Sequence, residues 1–131
     1  MKLKVRRVVT GHDGQGRAVV ASDDLCDRKS SARPGHERLD LWKDADGTVF
    51  RLVRYEPGVA PRHHRTETVD YAIVLSGEIE MELDGGSRVR LREGDVLVQQ
   101  NTLHNWVNRG KTPCVIAFVL VPAKGSRSAV G

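Results

Sequence analysis

At 131 residues the chain is the size of one domain, long enough to bury a core without disulfide staples. Its net charge of +4 is spread among intermingled acids and bases, with no basic run interleaved with aromatics, which argues against a nucleic-acid partner. No stretch approaches the roughly 18 apolar residues of a membrane helix, and Met1-Lys-Leu-Lys-Val-Arg-Arg has no apolar continuation, so no membrane partner and a cytoplasmic location are expected.

In chain order, short β-rich runs are predicted at Val5 to Thr10, Arg17 to Ala21, Val49 to Tyr55, Val69 to Leu75, Glu78 to Leu83, Arg88 to Leu91, Val96 to Gln99 and Cys114 to Val121. Turn chemistry punctuates them: Gly14-Gln15-Gly16, Asp46-Gly47, Ser76-Gly77, Asp84-Gly85-Gly86 and Glu93-Gly94. Residues 22 to 38 are polar, with Ser30-Ser31 and Arg33-Pro34-Gly35, and read as a long loop. The tail from 123 to 131 reads as frayed. No window holds a 3.6-residue apolar period of helix length, so residues 1–131 are expected to form one all-β domain, a sandwich or barrel.

Alternation by twos fixes faces. Ile79, Met81 and Leu83 share one side, and Glu78, Glu80 and Glu82 the other. Beyond the Asp-Gly-Gly turn, Arg88, Arg90 and Arg92 alternate with Val89 and Leu91. A hairpin would set the glutamates against the arginines and support its register. Cys26 and Cys114 sit in no metal or redox spacing and read as reduced thiols.

Metal-capable side chains cluster in two segments. His63-His64 opens one that continues through Glu67 to Asp70, and His104 lies in Asn101-Thr-Leu-His-Asn-Trp-Val-Asn108. Folding the intervening hairpin back would bring His64, Asp70 and His104 together. Two imidazoles and one carboxylate with open positions suit a divalent transition metal. Strand alternation turns His63 and Glu67 away from that group.

These residues resemble the cupin family. Its first motif is matched by Gly58, five residues, His64-Arg65-Thr66, three residues, Asp70, six residues and Gly77. Its second is matched by Gly94, then His104 and, after three residues, Asn108. The motifs span residues 57 to 108. Thr66 stands where the family has a second histidine, Asp70 where it has glutamate, and Gln100 and Thr102 where it has proline and glycine. The run to His104 is one residue short.

The resemblance implies a cupin-type double-stranded β-helix, a jelly-roll barrel, and a homodimer built through the strand from Leu3 to Thr10. It implies a metal site of His64, Asp70 and His104 for Fe²⁺, Mn²⁺, Zn²⁺ or Ni²⁺, in a pocket at one end of the barrel. Parity from Asp70 and His104 adds Ala72, Val74 and Trp106 to the lining. Arg51, Arg54 and Gln99 are candidates to hold a substrate carboxylate or enolate oxygen, and Trp106 to face a flat ligand.

The functional expectation is a small-molecule enzyme with a mononuclear metal, of oxygenase, decarboxylase, isomerase or lyase type. The alternative is a non-catalytic, metal-free small-molecule-binding barrel, which Thr66 favours. An epimerase using histidine and tyrosine ranks last, because Tyr71 has the wrong parity.

Overall fold

The computed structural model describes residues 1–123. The tail expected from 123 to 131 therefore lies outside the described residues, except Ala123, whose amide donates to the Glu67 carbonyl. Eleven strands follow in order: β1 Val5–His12, β2 Ala18–Cys26, β3 Lys29–Arg33, β4 His36–Lys43, β5 Val49–Tyr55, β6 Thr68–Ser76, β7 Glu78–Glu82, β8 Arg88–Arg92, β9 Val96–Gln100, β10 Asn105–Val107 and β11 Cys114–Pro122. A 3₁₀ turn, Asp84–Gly86, is the one helical piece among the described residues.

The strands form a six-stranded sheet in the order β3-β4-β5-β11-β6-β9, a three-stranded sheet β10-β7-β8, and a separate β1-β2 ribbon. The β7–β8 hairpin has the register its charges imply. Glu78 lies opposite Arg92, Glu80 opposite Arg90 and Glu82 opposite Arg88. The chain passes from the large sheet to the small one through Gly77, at φ 76°. A Cβ there would collide with the Pro113 carbonyl oxygen, so the position needs glycine for both conformation and space.

Period two gives the six-stranded sheet two different faces. Inward go Val53, Tyr55, Val74, Ile116 and Phe118, which pack against Ile79, Met81 and Trp106 of the small sheet. Outward go Leu39, Leu41, Leu52 and Val115, which pack against Leu3 at the start of the chain. Burying each such side chain fully stabilises the fold by about 1.5–3 kcal/mol before entropy is counted.

Two expectations are corrected. Residues 22 to 38 are not a loop: they hold the end of β2, all of β3 and the start of β4, with Gly35 turning between the last two at φ 78°. The strand expected from Leu3 to Thr10 starts and ends two residues later. It runs as β1 to His12, with β2 antiparallel along one edge and Arg6–Asp23 and Arg7–Asp24 ion pairs at 2.7 and 2.8 Å.

Candidate functional site

At one end of the barrel a cavity of about 210 Å³ opens between the sheets, and His64, Asp70 and His104 all line it. The two histidines come from segments that pair with each other outside the regular strands. Each backbone N–H donates to the other's carbonyl, at 3.1 and 3.0 Å. Their ring centroids are 4.6 Å apart. Asn105 clamps this pairing in place: its side chain accepts from the Arg62 amide at 2.7 Å and donates to Glu82 at 2.9 Å. Asn108 is structural as well. It donates to the carbonyls of Tyr55 and Thr112 and accepts from the Gly110 amide.

The hydrogen bonds of the two rings define their tautomers. His64 Nδ1 lies 3.2 Å from the Arg62 carbonyl, and His104 Nδ1 lies 2.8 Å from the Thr102 carbonyl. A carbonyl only accepts, so each Nδ1 carries the hydrogen and each Nε2 keeps a lone pair. Burial, opposed by that hydrogen bond and reinforced by His104 and Arg62, lowers the His64 pKa and holds its ring neutral. Imidazoles oriented in this way through Nδ1–H are what a divalent metal requires of its ligands.

Asp70 does not complete the set. Among the described residues, no three of His, Cys, Asp and Glu come together closely enough to hold an ion. The buried Asp70 carboxylate accepts instead from the Thr68 hydroxyl. That hydroxyl has one hydrogen, so it accepts from Thr66, 3.0 Å away. Burial pushes the Asp70 carboxyl up, while Thr68, His104 and Arg51 pull it back. The expected trio shares one cavity, in which the two histidine rings are neighbours and Asp70 is bonded to Thr68. His63 and Glu67 are exposed, in the segment between β5 and β6 rather than on a strand.

Of the expected substrate groups, Arg51 lines the cavity, tied to Asp40 at 2.8 Å. Arg54 is a correction: three residues from Arg51 on the same strand, it projects from the opposite face and pairs with Glu56 at 2.8 Å. Gln99 lies opposite Asp70, buried, donating to the Thr102 carbonyl, and it is not part of the cavity lining. Trp106 is both wall and core, with Tyr55, His104 and Phe118 around it at centroid distances of 5.8, 6.0 and 6.1 Å. Ala72 and Val74 face inward but sit in the packed core rather than the lining.

Sequence reasoning missed the other wall. β3 and β4 bring Arg33, His36 and Arg38 to the cavity, and the segment before His64 brings Arg62. His36 is 8 % exposed, stacked edge-on against Tyr55. Burial first, then the charge of Arg33, lowers its pKa to about 4. The available signal was the short alternation of Arg38 and Asp40 with Leu39 and Leu41, which Glu37 interrupts before it reaches His36.

Comparison with known proteins agrees with the geometry. A family model described as a cupin domain matches residues 51–121. The cupin-domain-containing oxidoreductase fogC of Aspergillus ruber is 31% identical over 147 residues, covering 90% of this chain and 72% of that protein. The cupin-domain-containing oxidoreductase virC of Hypocrea virens is 37% identical, over 90% of this chain and 76% of its own. Oryzines biosynthesis cluster protein J of Aspergillus oryzae is 48% identical over 79 residues, 60% of this chain and 44% of its own length, so this chain matches less than half of that relative. Among solved structures, the cupin domain of Schizosaccharomyces pombe Cnp3 superposes with a TM-score of 0.68 at 12% identity, covering 96% of this chain and 93% of that one. A putative ethanolamine utilization protein from Salmonella typhimurium superposes at 0.61 with 18% identity, over 92% and 98%. At such identities the likeness is one of fold, the double-stranded β-helix. With both cavity histidines inside the span that the family model matches, this chain belongs to the cupin domain family.

Proposed function

We propose that this chain is a small-molecule enzyme of oxidoreductase type, with the His64–His104 pair as its reactive centre and a divalent transition metal as its cofactor. One observation carries the reading: both rings are held by Nδ1–H bonds to backbone carbonyls, which leaves each Nε2 a lone pair on two neighbouring rings that line one cavity. The relatives named as oxidoreductases support the reaction class. His64 and His104 would hold the ion, which when bound supplies Lewis acidity or, for iron and manganese, a redox centre. Asp70 lines the same cavity with a raised pKa, suited to take and return a proton at its carboxylate. Trp106, Phe118 and Leu120 supply an apolar part of the lining.

The test is a thermal melt of chelated protein with Fe²⁺, Mn²⁺, Zn²⁺ or Ni²⁺ added singly. An ion binding only the folded state adds about 2.7 kcal/mol at a hundredfold excess over its Kd. That is a rise in Tm on the order of 10 °C for a domain of this size. The rise disappears in His64→Ala and His104→Ala, shrinks in Asp70→Asn, and persists in Glu67→Gln. An equal rise in the two alanine variants would remove the metal from the cavity. Thr66 and the missing third ligand favour the second reading, a metal-free binding barrel, which predicts no rise with any ion.

We propose further that two copies pair across the outer face of the six-stranded sheet. Trp42, Phe50, Tyr71, Ile73, Val96 and Val98 are exposed there, and β1 borders the groove. A second copy offers the same apolar surface in return, so that each copy would cover the other's exposed side chains.

A further inference from the structure

The cavity is far more cationic than either histidine chemistry or folding calls for. Four arginines line it, Arg33, Arg38, Arg51 and Arg62, against one acidic residue, Asp70. Arg51 is neutralised by Asp40. Among the described residues no carboxylate pairs with Arg33, Arg38 or Arg62. Arg33 is fixed by one bond, from Nε to the Ala60 carbonyl at 2.9 Å, which leaves its two terminal nitrogens without a carboxylate. Arg38 donates its Nε to Ser30. His36, buried in the same wall, has an Nδ1 with no hydrogen-bond partner. A buried polar atom left unpaired beside uncompensated positive charge is destabilising unless a ligand meets it.

We propose that this wall is an anion site, and that the molecule bound before the His64–His104 pair is a small organic acid. Its carboxylate is held by Arg33 and Arg62, with His36 behind them. The planar fork of a guanidinium matches a carboxylate through two parallel bonds, which a lysine would not supply. At about 210 Å³ the cavity equals roughly seven water volumes, so the acid is compact. The anchored carboxylate would leave the rest of the molecule facing the two Nε2 atoms, which gives the proposed enzyme its substrate class. This inference rests on that cavity being the working site, but not on the metal.

The experiment uses the full chain, treated with chelator, titrated at constant ionic strength with succinate, with neutral succinamide and with inorganic phosphate. Calorimetry should show succinate binding at least tenfold more tightly than succinamide and more tightly than phosphate. Arg62→Gln and Arg33→Gln should each weaken succinate at least tenfold, with Arg33→Lys restoring little. Because Arg33 also holds the Ala60 carbonyl, Arg62→Gln is the cleaner variant: among the described residues the Arg62 side chain makes no hydrogen bond or ion pair. Glu67→Gln, at an exposed side chain outside the cavity lining, should keep the succinate affinity. Equal binding of succinate and succinamide overturns the proposal, as does undiminished binding by Arg62→Gln. Phosphate binding more tightly than succinate overturns the carboxylate assignment. Metal binding without succinate binding would sink this inference alone, and succinate binding without metal would sink only the metal reading.

Discussion

The six-stranded sheet carries a hollow on each face, and the two differ in every respect except the strands that build them. The inner cavity, about 210 Å³, is walled by arginines, histidines and one buried acid. The outer groove, about 930 Å³, is walled by Leu41, Trp42, Phe50, Tyr71, Ile73 and their neighbours. β5 sends Arg51, Val53 and Tyr55 to one and Phe50 and Leu52 to the other. β6 sends Asp70 inward and Tyr71 and Ile73 outward. Strand parity thus puts a polar hollow and an apolar one on the two faces of the same strands. The larger hollow is the less reactive one: it offers apolar area, whereas the smaller offers lone pairs and unpaired cations.

The largest effect should come from the wall shared by cavity and core. Trp106→Ala removes the indole packed among Tyr55, His104 and Phe118, and should destabilise the fold by about 3–5 kcal/mol, read by urea unfolding. A loss below 1 kcal/mol would mean that the inner end is not close-packed. The opposite face should behave differently. Phe50→Glu, at a side chain 43% exposed, should leave monomer stability within about 0.5 kcal/mol. In light scattering the parent should run as a dimer and the variant as a monomer, with succinate and metal responses unchanged. A parent that is monomeric at high concentration removes the dimer, and a variant that still dimerises moves the interface elsewhere.

The two faces were not equally legible in the sequence. Where a strand packs apolar residues, alternation showed it: Ile79, Met81 and Leu83 against the glutamates gave β7 its face, and Gly77 marked the passage between sheets. Where strands line the cavity, both faces carry polar residues and the alternation fades. His36-Glu37-Arg38 therefore read as loop, and β3 and β4 were lost together with the arginines they supply. The histidine pair was legible from motif spacing. Its separation from Asp70 was not, because a hydroxyl two residues away, on Thr68, competes for that carboxylate. Thr66, Thr68 and Asp70 do share parity, which was a signal in plain view. Placing Arg51 and Arg54 in one pocket conflicted with the same rule, and β5 follows the rule. The pairing of β1 with β2 had the weakest signal, since β2 is exposed along most of its length.

The smallest effect concerns acid, and it probes the inner face alone. His36 is held neutral, its pKa lowered from 6.5 to about 4 by burial and then by Arg33. Between those values the unfolded chain takes up a proton that the folded chain refuses. This contribution to stability is complete above about pH 6.5 and is lost progressively as the pH falls through about 4. His64, lowered for the same first reason, acts in the same direction. Asp70 acts in the opposite one: its raised pKa favours the folded state as the acid protonates. The informative quantity is therefore the difference between parent and His36→Gln, not either profile alone. Melts from pH 7.5 down to 4 should show the parent losing more Tm than the variant, with the gap opening below pH 6.5. Succinate should narrow that gap, because an anion beside His36 favours its protonated ring and restores part of the lost stability. Parallel profiles for the two proteins would mean that His36 is not held neutral in that wall, and the inner face would lose its pH signature while the outer face stayed as described.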